Sequence, residues 1–424
     1  MRTGTAFLLI LAAYFRSGPL FFAVGVALLL LIGAHLWLRA VCGRLRAGRM
    51  LETRVFFGET VAIRLTFSNG SSLPIPWLEI HESMPAALAL PNVLSRVSRL
   101  SPRQDTTITY TLNGRRRGFH MVGPLTATVG DVFGLVRREL RFARRQHLLV
   151  YPRILPPEEL ELPALALFGV VRSRRQLLGD PSRLAGVRQY TPGDPMHDIH
   201  WPATANTGIL QVKQYQPATT HQSMIFLDLQ RDGFDAVEVL GAAEFAISVA
   251  ATLAARLIEQ RQEVGLATNG LVPLPPEEEE AVISPTEMTS PILRLKAHGT
   301  DDGPDKSGSA AAAPIGPARG RTQLMRVLEL LARVELSGHG RPLTGLLTER
   351  GVVLPWGSTA IVVAGTVSDE LFLALHKLRQ VGLLVVLFLI EPSGDVAMIE
   401  GRARAVGVVL QPVWRATSMT GTRP

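Results

Sequence analysis

The chain has 424 residues, 47% of them hydrophobic, and a formal net charge of +8. That length supports two or three domains, and that apolar fraction supports a sizeable core. A single cysteine, Cys42, excludes an intrachain disulfide and fits a reducing compartment.

The first elements are apolar. Thr5–Phe15, "TAFLLILAAYF", is short for a full crossing, and Arg16-Ser-Gly-Pro19 reads as a turn. Leu20–Leu38, "LFFAVGVALLLLIGAHLWL", carries no formal charge. At ~1.5 Å per residue it nearly spans a hydrocarbon layer of ~30 Å. Residues 1–50 are therefore expected to form a transmembrane helical hairpin, with helices at about 5–15 and 20–38. A cleaved signal peptide is the other reading of the first limb; the longer apolar segment that follows at once disfavours it. Arg39, Arg44, Arg46, Arg49 and Arg54 follow the second limb, against Arg16 alone in the turn. The positive-inside rule then places the rest of the chain in the cytoplasm, on the cell inner (cytoplasmic) membrane, with Trp37 at headgroup level. Elsewhere the basic residues are again mostly arginine; lysine stands only at Lys213, Lys296, Lys306 and Lys377.

Residues 51–155 read as an all-β sandwich domain. "VFFGETVAIRLTFSN" alternates and stops at Asn69-Gly70, and "DTTITYTL" alternates and stops at Asn113-Gly114. "GPLTATVGDVFGLVRREL" and "HLLVYPRI" supply further strands. Arg115–Arg117 and the run from Arg137 to Arg145 are basic clusters, read either as solvated strand ends or as contacts to anionic lipid. No aromatic residues interleave with these arginines, which disfavours nucleic acid.

Residues 156–223 read as a linker followed by a motif rich in polar side chains. From 224 to 424 strands and helices alternate: "SMIFLDL", then the Ala-rich helix "AVEVLGAAEFAISVAATLAARLIEQ", "QEVGLATN", "RTQLMRVLELLARVEL", "TAIVVAG", "SDELFLALHKLRQ" and "GLLVVLFLI". That alternation predicts a Rossmann-type α/β domain with a parallel sheet. Residues 271–320, with the Glu277–Glu280 run and "DDGPDKSGSAAAAPIGPARG", read as a mobile insertion at its rim.

Two places carry candidate chemistry. The first strand of the α/β domain delivers Asp228 to its carboxyl end, where ligands of open parallel sheets bind. Leu229, Gln230, Arg231 and Asp232 follow. The turn is similar to that of von Willebrand factor A domains, Asp-x-Ser-x-Ser, which holds Mg²⁺. Gln230 and Asp232 replace both serines, so Asp228 and Asp232 are read either as a degenerate magnesium site or as a strand-end cap made by Asp228. The second place is "TPGDPMHDIHWPATANTG", Thr191–Gly208. Asp194, His197, Asp198 and His200 would suit a zinc-dependent hydrolase, but Pro195 and Pro202 limit any helix there and His-x-x-His alone is a weak pattern. No Walker loop, dinucleotide turn or Gly-x-Ser-x-Gly is present.

"VRQYTPGDPMHDIHWPATANTGILQVKQYQ" resembles the signature of the "domain of unknown function 58" family. It matches at Arg188, Tyr190, Gly193, Asp194, Ile199, Trp201 and Ala205, with His200 between Ile199 and Trp201. "RRRGFHMVGP", "DVFGL" and "YPRI" are similar to that family's β-region. The chain departs from the signature where His197 or Asp198 replaces an arginine, Pro202 a lysine and Asn206 an arginine. The resemblance implies a membrane anchor, a β domain and a von Willebrand A-like domain, with no catalytic residues to carry over. It also implies MoxR-type AAA+ ATPases and other von Willebrand A proteins as partners. In this reading Gly193-Asp194 is a turn whose carboxylate accepts backbone amides, Trp201 is buried, and the loop braces the α/β domain against the sandwich. The function expected is a non-enzymatic adaptor without a cofactor; the alternatives are the hydrolase above and an envelope-assembly factor acting through protein partners.

Overall fold

The computed structural model describes residues 18–89, 93–132, 134–156, 179–217, 222–234, 238–273, 309–338 and 341–415. The expected first limb, 5–15, and the Glu277–Glu280 run lie outside the described residues. Residues 18–151 form one compact unit; those from 152 to 415 form a second.

The first unit opens with helix α1 (Gly18–Cys42). An unbroken Leu/Val/Ala run gives it helical propensity without a charged interruption. It is long and apolar enough to cross a membrane. Phe22, Leu29 and Leu36 are exposed, whereas Leu38, Val41 and Cys42 are buried in the core of the unit. That packing carries the helix one turn past the expected end at Leu38.

Strands follow: β1 (Leu45–Met50), β2 (Arg54–Val55), β3 (Thr60–Asn69), β4 (Ile75–Ser83) and β5 (Val93–Leu100). Then come β6 (Asp105–Asn113), β7 (Gly118–Val122), β8 (Leu125–Gly130), β9 (Arg137–Ala143) and β10 (Gln146–Val150). Antiparallel sheets run β1-β3-β6 and β5-β4-β8-β9; a third joins β2, β10 and β7. Val61, Ile63, Leu65 and Phe67 of β3 point inward at every second position and meet Ile75, Leu78 and Ile80 of β4 and Leu125, Ala127 and Val129 of β8 in one core. Residues 45–50, assigned above to the anchor, are a strand of this domain.

That strand brings a charge inside. Arg49 Nη1 donates to Glu82 Oε1 at 2.5 Å, with both side chains fully buried. Tyr110 Oη donates to Glu82 Oε2 at 2.6 Å, Arg49 Nε donates to Gln146 Oε1 at 2.9 Å, and Arg49 Nη2 donates to the Arg144 carbonyl. The network satisfies both ions, as burial demands. Gly123 makes room: at φ +98° and with a Cβ position only 2.6 Å from Arg49 Nη1, no side chain fits there.

The second unit begins with an antiparallel ribbon of β11 (Gly179–Gln189) and β12 (Gln211–Pro217), with the short helix α2 (Trp201–Thr207) between them. Beyond it lie β13 (Gln222–Leu227), α3 (Val239–Glu259), β14 (Glu263–Thr268), β15 (Leu271–Pro273), β16 (Ser309–Ala311) and β17 (Ile315–Ala318). The unit ends with α4 (Arg321–Arg333), β18 (Thr359–Ala364), α5 (Asp369–Gln380), β19 (Leu384–Ile390), α6 (Val396–Val406) and β20 (Val409–Val413). The main sheet has the order β17-β14-β13-β18-β19-β20, parallel except for β17, which runs antiparallel to β14. Helix α3 is also long and apolar enough to cross a membrane, but it is mostly buried as a core helix of this unit. The opposite face is covered by α5 and α6, whose Leu371, Phe372, Leu375, Leu378 and Ala403 join Met224 and Phe226 of β13.

The reading of 271–320 as a mobile insertion is corrected at both ends. Residues 271–273 and 309–311 pair as β15 and β16, and 315–318 extend the main sheet. Gly316 and Pro317 hid β17, an edge strand, where a missing N–H donor is tolerated.

Candidate functional site

The signature segment is built on the ribbon register, in which Val187 opposes Lys213, Arg188 opposes Val212 and Gln189 opposes Gln211. Tyr190 N–H continues the pairing to the Leu210 carbonyl at 2.9 Å. The chain then turns at Thr191–Asp194, where Gly193 takes φ +110°. A 3₁₀ turn, Met196–Asp198, leads to Ile199, which bridges back to Val212; both are buried. His200 caps α2: its Nδ1 accepts the Ala203 N–H at 3.1 Å, and Pro202 sits in the first turn, where its missing N–H costs nothing. Gly208, at φ +71°, ends the helix.

Asp194 is the centre of the turn. Arg188 grips it with Nη1 and Nη2, each 2.7 Å from a carboxylate oxygen. The Thr191 N–H and Oγ1–H each donate to Oδ2 at 2.9 Å. These four bonds hold the Asp194 carboxyl well below the usual carboxylate range, the Arg188 fork contributing most and the Thr191 amide next. The expected amide bond is therefore present, and an arginine six residues upstream, which the sequence reading treated only as a signature position, is the larger partner. His197 points to solvent with 83% of its side chain exposed, and its Nε2 lies 3.8 Å from Asp198 Oδ2. Among the described residues no group of three or more His, Cys, Asp or Glu side chains is disposed to hold a metal. Asp194, His197, Asp198 and His200 thus do not converge on one point.

Trp201 is 66% exposed, against the expectation that it is buried. The first position of α2 turns its ring outward, and the buried apolar contacts of the segment are supplied by Ile199 and Val212 instead. Met196, Ile209 and Leu210 are exposed beside it in the sequence, on the same turn-and-ribbon end. Sequence reasoning missed this apolar rim because each of its members lies singly in a polar loop.

Asp228 stands at the carboxyl end of β13, next to β18, where the sheet order reverses direction. Its Oδ1 accepts the Gln230 N–H at 3.0 Å and Asn269 Nδ2–H at 2.8 Å, while Asn269 Oδ1 accepts the Leu229 N–H at 2.7 Å. A Cβ on Gly233 would lie 3.2 Å from Asp228 Oδ2. The carboxylate is buried, and that burial pushes its pKa above the ordinary value against the pull of Asn269 and the Gln230 amide. Asp232 follows on an exposed 3₁₀ turn, Arg231–Gly233. Asp228 is thus fastened to its own turn and to Asn269, a residue the sequence reading did not single out. A further cluster was also missed at this end of the sheet: Arg415 grips Glu391 through Nε at 2.5 Å and Nη2 at 2.7 Å, and reaches Glu238 at 2.6 Å.

Comparison with known proteins finds a matching family model. Residues 186–381 match the model described as protein of unknown function DUF58. The uncharacterized protein YeaD of Bacillus subtilis (strain 168) is 24% identical over 229 residues, 52% of this chain and 55% of YeaD. The chain therefore spans little more than half the length of that relative. Among solved structures, the CARDB domain of the PF1109 protein from Pyrococcus furiosus is 13% identical, with 25% of this chain and 86% of that one covered at a TM-score of 0.20. A segment of alpha-2-macroglobulin from Escherichia coli is 15% identical, with 26% and 17% covered at 0.23. Both scores are too low to define a shared fold. The match over 186–381 covers both the Arg188–Asp194 clamp and the Asp228 turn, so that segment is the part of the chain similar to the DUF58 family of proteins of unknown function.

Proposed function

We propose that the chain is a membrane-anchored, non-enzymatic adaptor that presents a von Willebrand factor A-like domain to a protein partner, a MoxR-type AAA+ ATPase by family resemblance. The observation that carries this reading is the state of the signature segment. Its carboxylate is saturated by four donors and one histidine is committed to a helix cap, while Met196, Trp201, Ile209 and Leu210 face solvent. Polar groups that satisfy one another hold a shape, and an exposed aromatic beside aliphatic side chains is what protein interfaces use as an anchor. The sheet order, with the edge strand β17 antiparallel beside β14, supports the von Willebrand A-like assignment. Arg39 in the last turn of α1 and Arg44 and Arg46 after it support a cytoplasmic placement at the cell inner membrane.

The test is co-purification of the full chain with the MoxR-type ATPase of the same organism, with and without Trp201→Ala. Loss of the complex at an unchanged melting temperature is the expected result. Retained binding by Trp201→Ala and Met196→Ala together would remove the rim from the interface. Absence of binding by the unaltered chain would remove the ATPase as partner.

A further inference from the structure

We infer that the end of the β unit nearest α1 is a binding surface for anionic lipid headgroups, formed by Arg39, Arg44, Arg46, Arg103, Arg137 and Arg138 around an exposed Val132. The inference rests on the reading of α1 as a membrane anchor. Three observations carry it.

First, α1 leaves no slack. From Gly18 to Trp37 is 20 residues, ~30 Å at ~1.5 Å per residue, which uses the whole hydrocarbon thickness. The next turn, Leu38 to Cys42, is already packed in the β core. The domain must therefore begin at the headgroups.

Second, strand registers gather one end of both antiparallel sheets at that point. The Gly70 N–H bonds the Arg44 carbonyl, and the Arg103 N–H bonds the Ser71 carbonyl, so the β3–β4 and β5–β6 turns lie beside the start of β1. Arg138 lies close enough to Cys42 for its charge to act there, which places the β8–β9 turn at the end of α1. Arg137 is held over the Trp77 ring at 4.6 Å, with Trp77 opposite Gly130 at the end of β8. The other basic run is elsewhere. The Gly114 N–H bonds the Glu59 carbonyl at the start of β3, so Arg115–Arg117 sit at the far end, about 30 Å away for a ten-residue strand at ~3.4 Å per residue. The sequence could not separate these two clusters.

Third, the near end carries an apolar tip. Val132 in the β8–β9 turn is 74% exposed, and Leu73 in the β3–β4 turn is also exposed. Asp131, beside Val132, is buried, with Oδ1 accepting the Val136 N–H at 2.8 Å, so its carboxylate is turned into the turn and Val132 forms the tip. Arginines on long stems around an exposed valine match a bilayer's boundary between headgroup and acyl chain.

The experiment uses the full chain in lipid nanodiscs, with Val132→Cys carrying an environment-sensitive fluorophore; Cys42 is buried and stays unlabelled. Discs of phosphatidylcholine are compared with discs containing phosphatidylglycerol. A larger blue shift and stronger quenching by headgroup-labelled lipid are expected with phosphatidylglycerol than with phosphatidylcholine alone. Neutralising Arg103, Arg137 and Arg138 together (R103Q/R137Q/R138Q) should lower the ratio of orientations with this end on the headgroups to those tilted away by about fivefold per arginine. The corresponding lysine triple should restore it, and R115Q/R116Q/R117Q should leave it unchanged. Equal signals in both discs, or equal loss from the two glutamine triples, would overturn the inference while leaving the anchor standing. Release of the chain from membranes by alkaline carbonate would overturn the anchor and, with it, this surface.

Discussion

At the scale of single residues, Asp194, Trp201 and Asp228 divide the site between holding and presenting. Asp194 has a depressed pKa, so the order it gives the turn is present above the ordinary carboxylate range and is lost as pH falls through its folded value. Asp194→Asn is expected to speed amide exchange at Thr191 and its neighbours at neutral pH, with little change in global melting, because the pair is a surface one. Trp201→Ala is expected to cost less than ~1 kcal/mol in denaturant unfolding; a buried tryptophan would cost ~3–5 kcal/mol. Asp228 runs in the opposite sense to Asp194. Burial raises its folded pKa, so stability declines as pH rises from the unfolded value of about 4 towards the folded one. Asp228→Asn should flatten that decline and stay within ~1 kcal/mol of the parent at neutral pH. Magnesium titration of the parent should leave its melting temperature unchanged; a rise that Asp228→Asn abolishes would establish a metal site there.

At the scale of elements, the ribbon and β1 show what pattern can and cannot reveal. The period of two was legible in β3 and β6, where one face is buried and the other solvated. It was illegible in β1, because the inward position 49 is an arginine whose partners, Glu82 and Gln146, lie 33 and 97 residues away. The same limit hid the Arg188–Asp194 grip, whose closure depends on the turn that leads off β11. Propensity marked α3 and α5 plainly, the latter with its Ser368 cap and an acidic first turn. It missed β20, whose Pro412 is tolerated because the strand is at the sheet edge. The buried network makes a direct prediction. Arg49→Ala removes the counter-ion of the buried Glu82 and leaves it the Tyr110 hydroxyl, and is expected to destabilise by ~3–5 kcal/mol in equilibrium unfolding. Gly123→Ala should act through the same network, since its methyl group would displace the Arg49 guanidinium.

At the scale of the whole molecule, the sequence revealed the order of parts better than their edges. The α/β alternation, the β region and the apolar N-terminal helix were all readable from periodicity and length. The boundary at residue 50 was not, because α1 and β1 share a core and no linker composition separates them. Nor were the strands within 271–320, where Gly, Pro and Ala look like low complexity but Ile315 and Ala318 pair with β14. Which faces stay open was beyond reach as well. Exposure at Trp201 is decided by what packs around α2, and one residue's hydrophobicity cannot report that.

The direct passage of α1 into the β core has a mechanical side. A domain on a loose tether can be pulled by a partner and merely take up slack. Here the last turn of the helix is packed in the β core, so in the anchored arrangement proposed above a pull on the β domain tilts the helix within the bilayer. Inserting a short Gly-Ser stretch after Gly43 would uncouple the two motions.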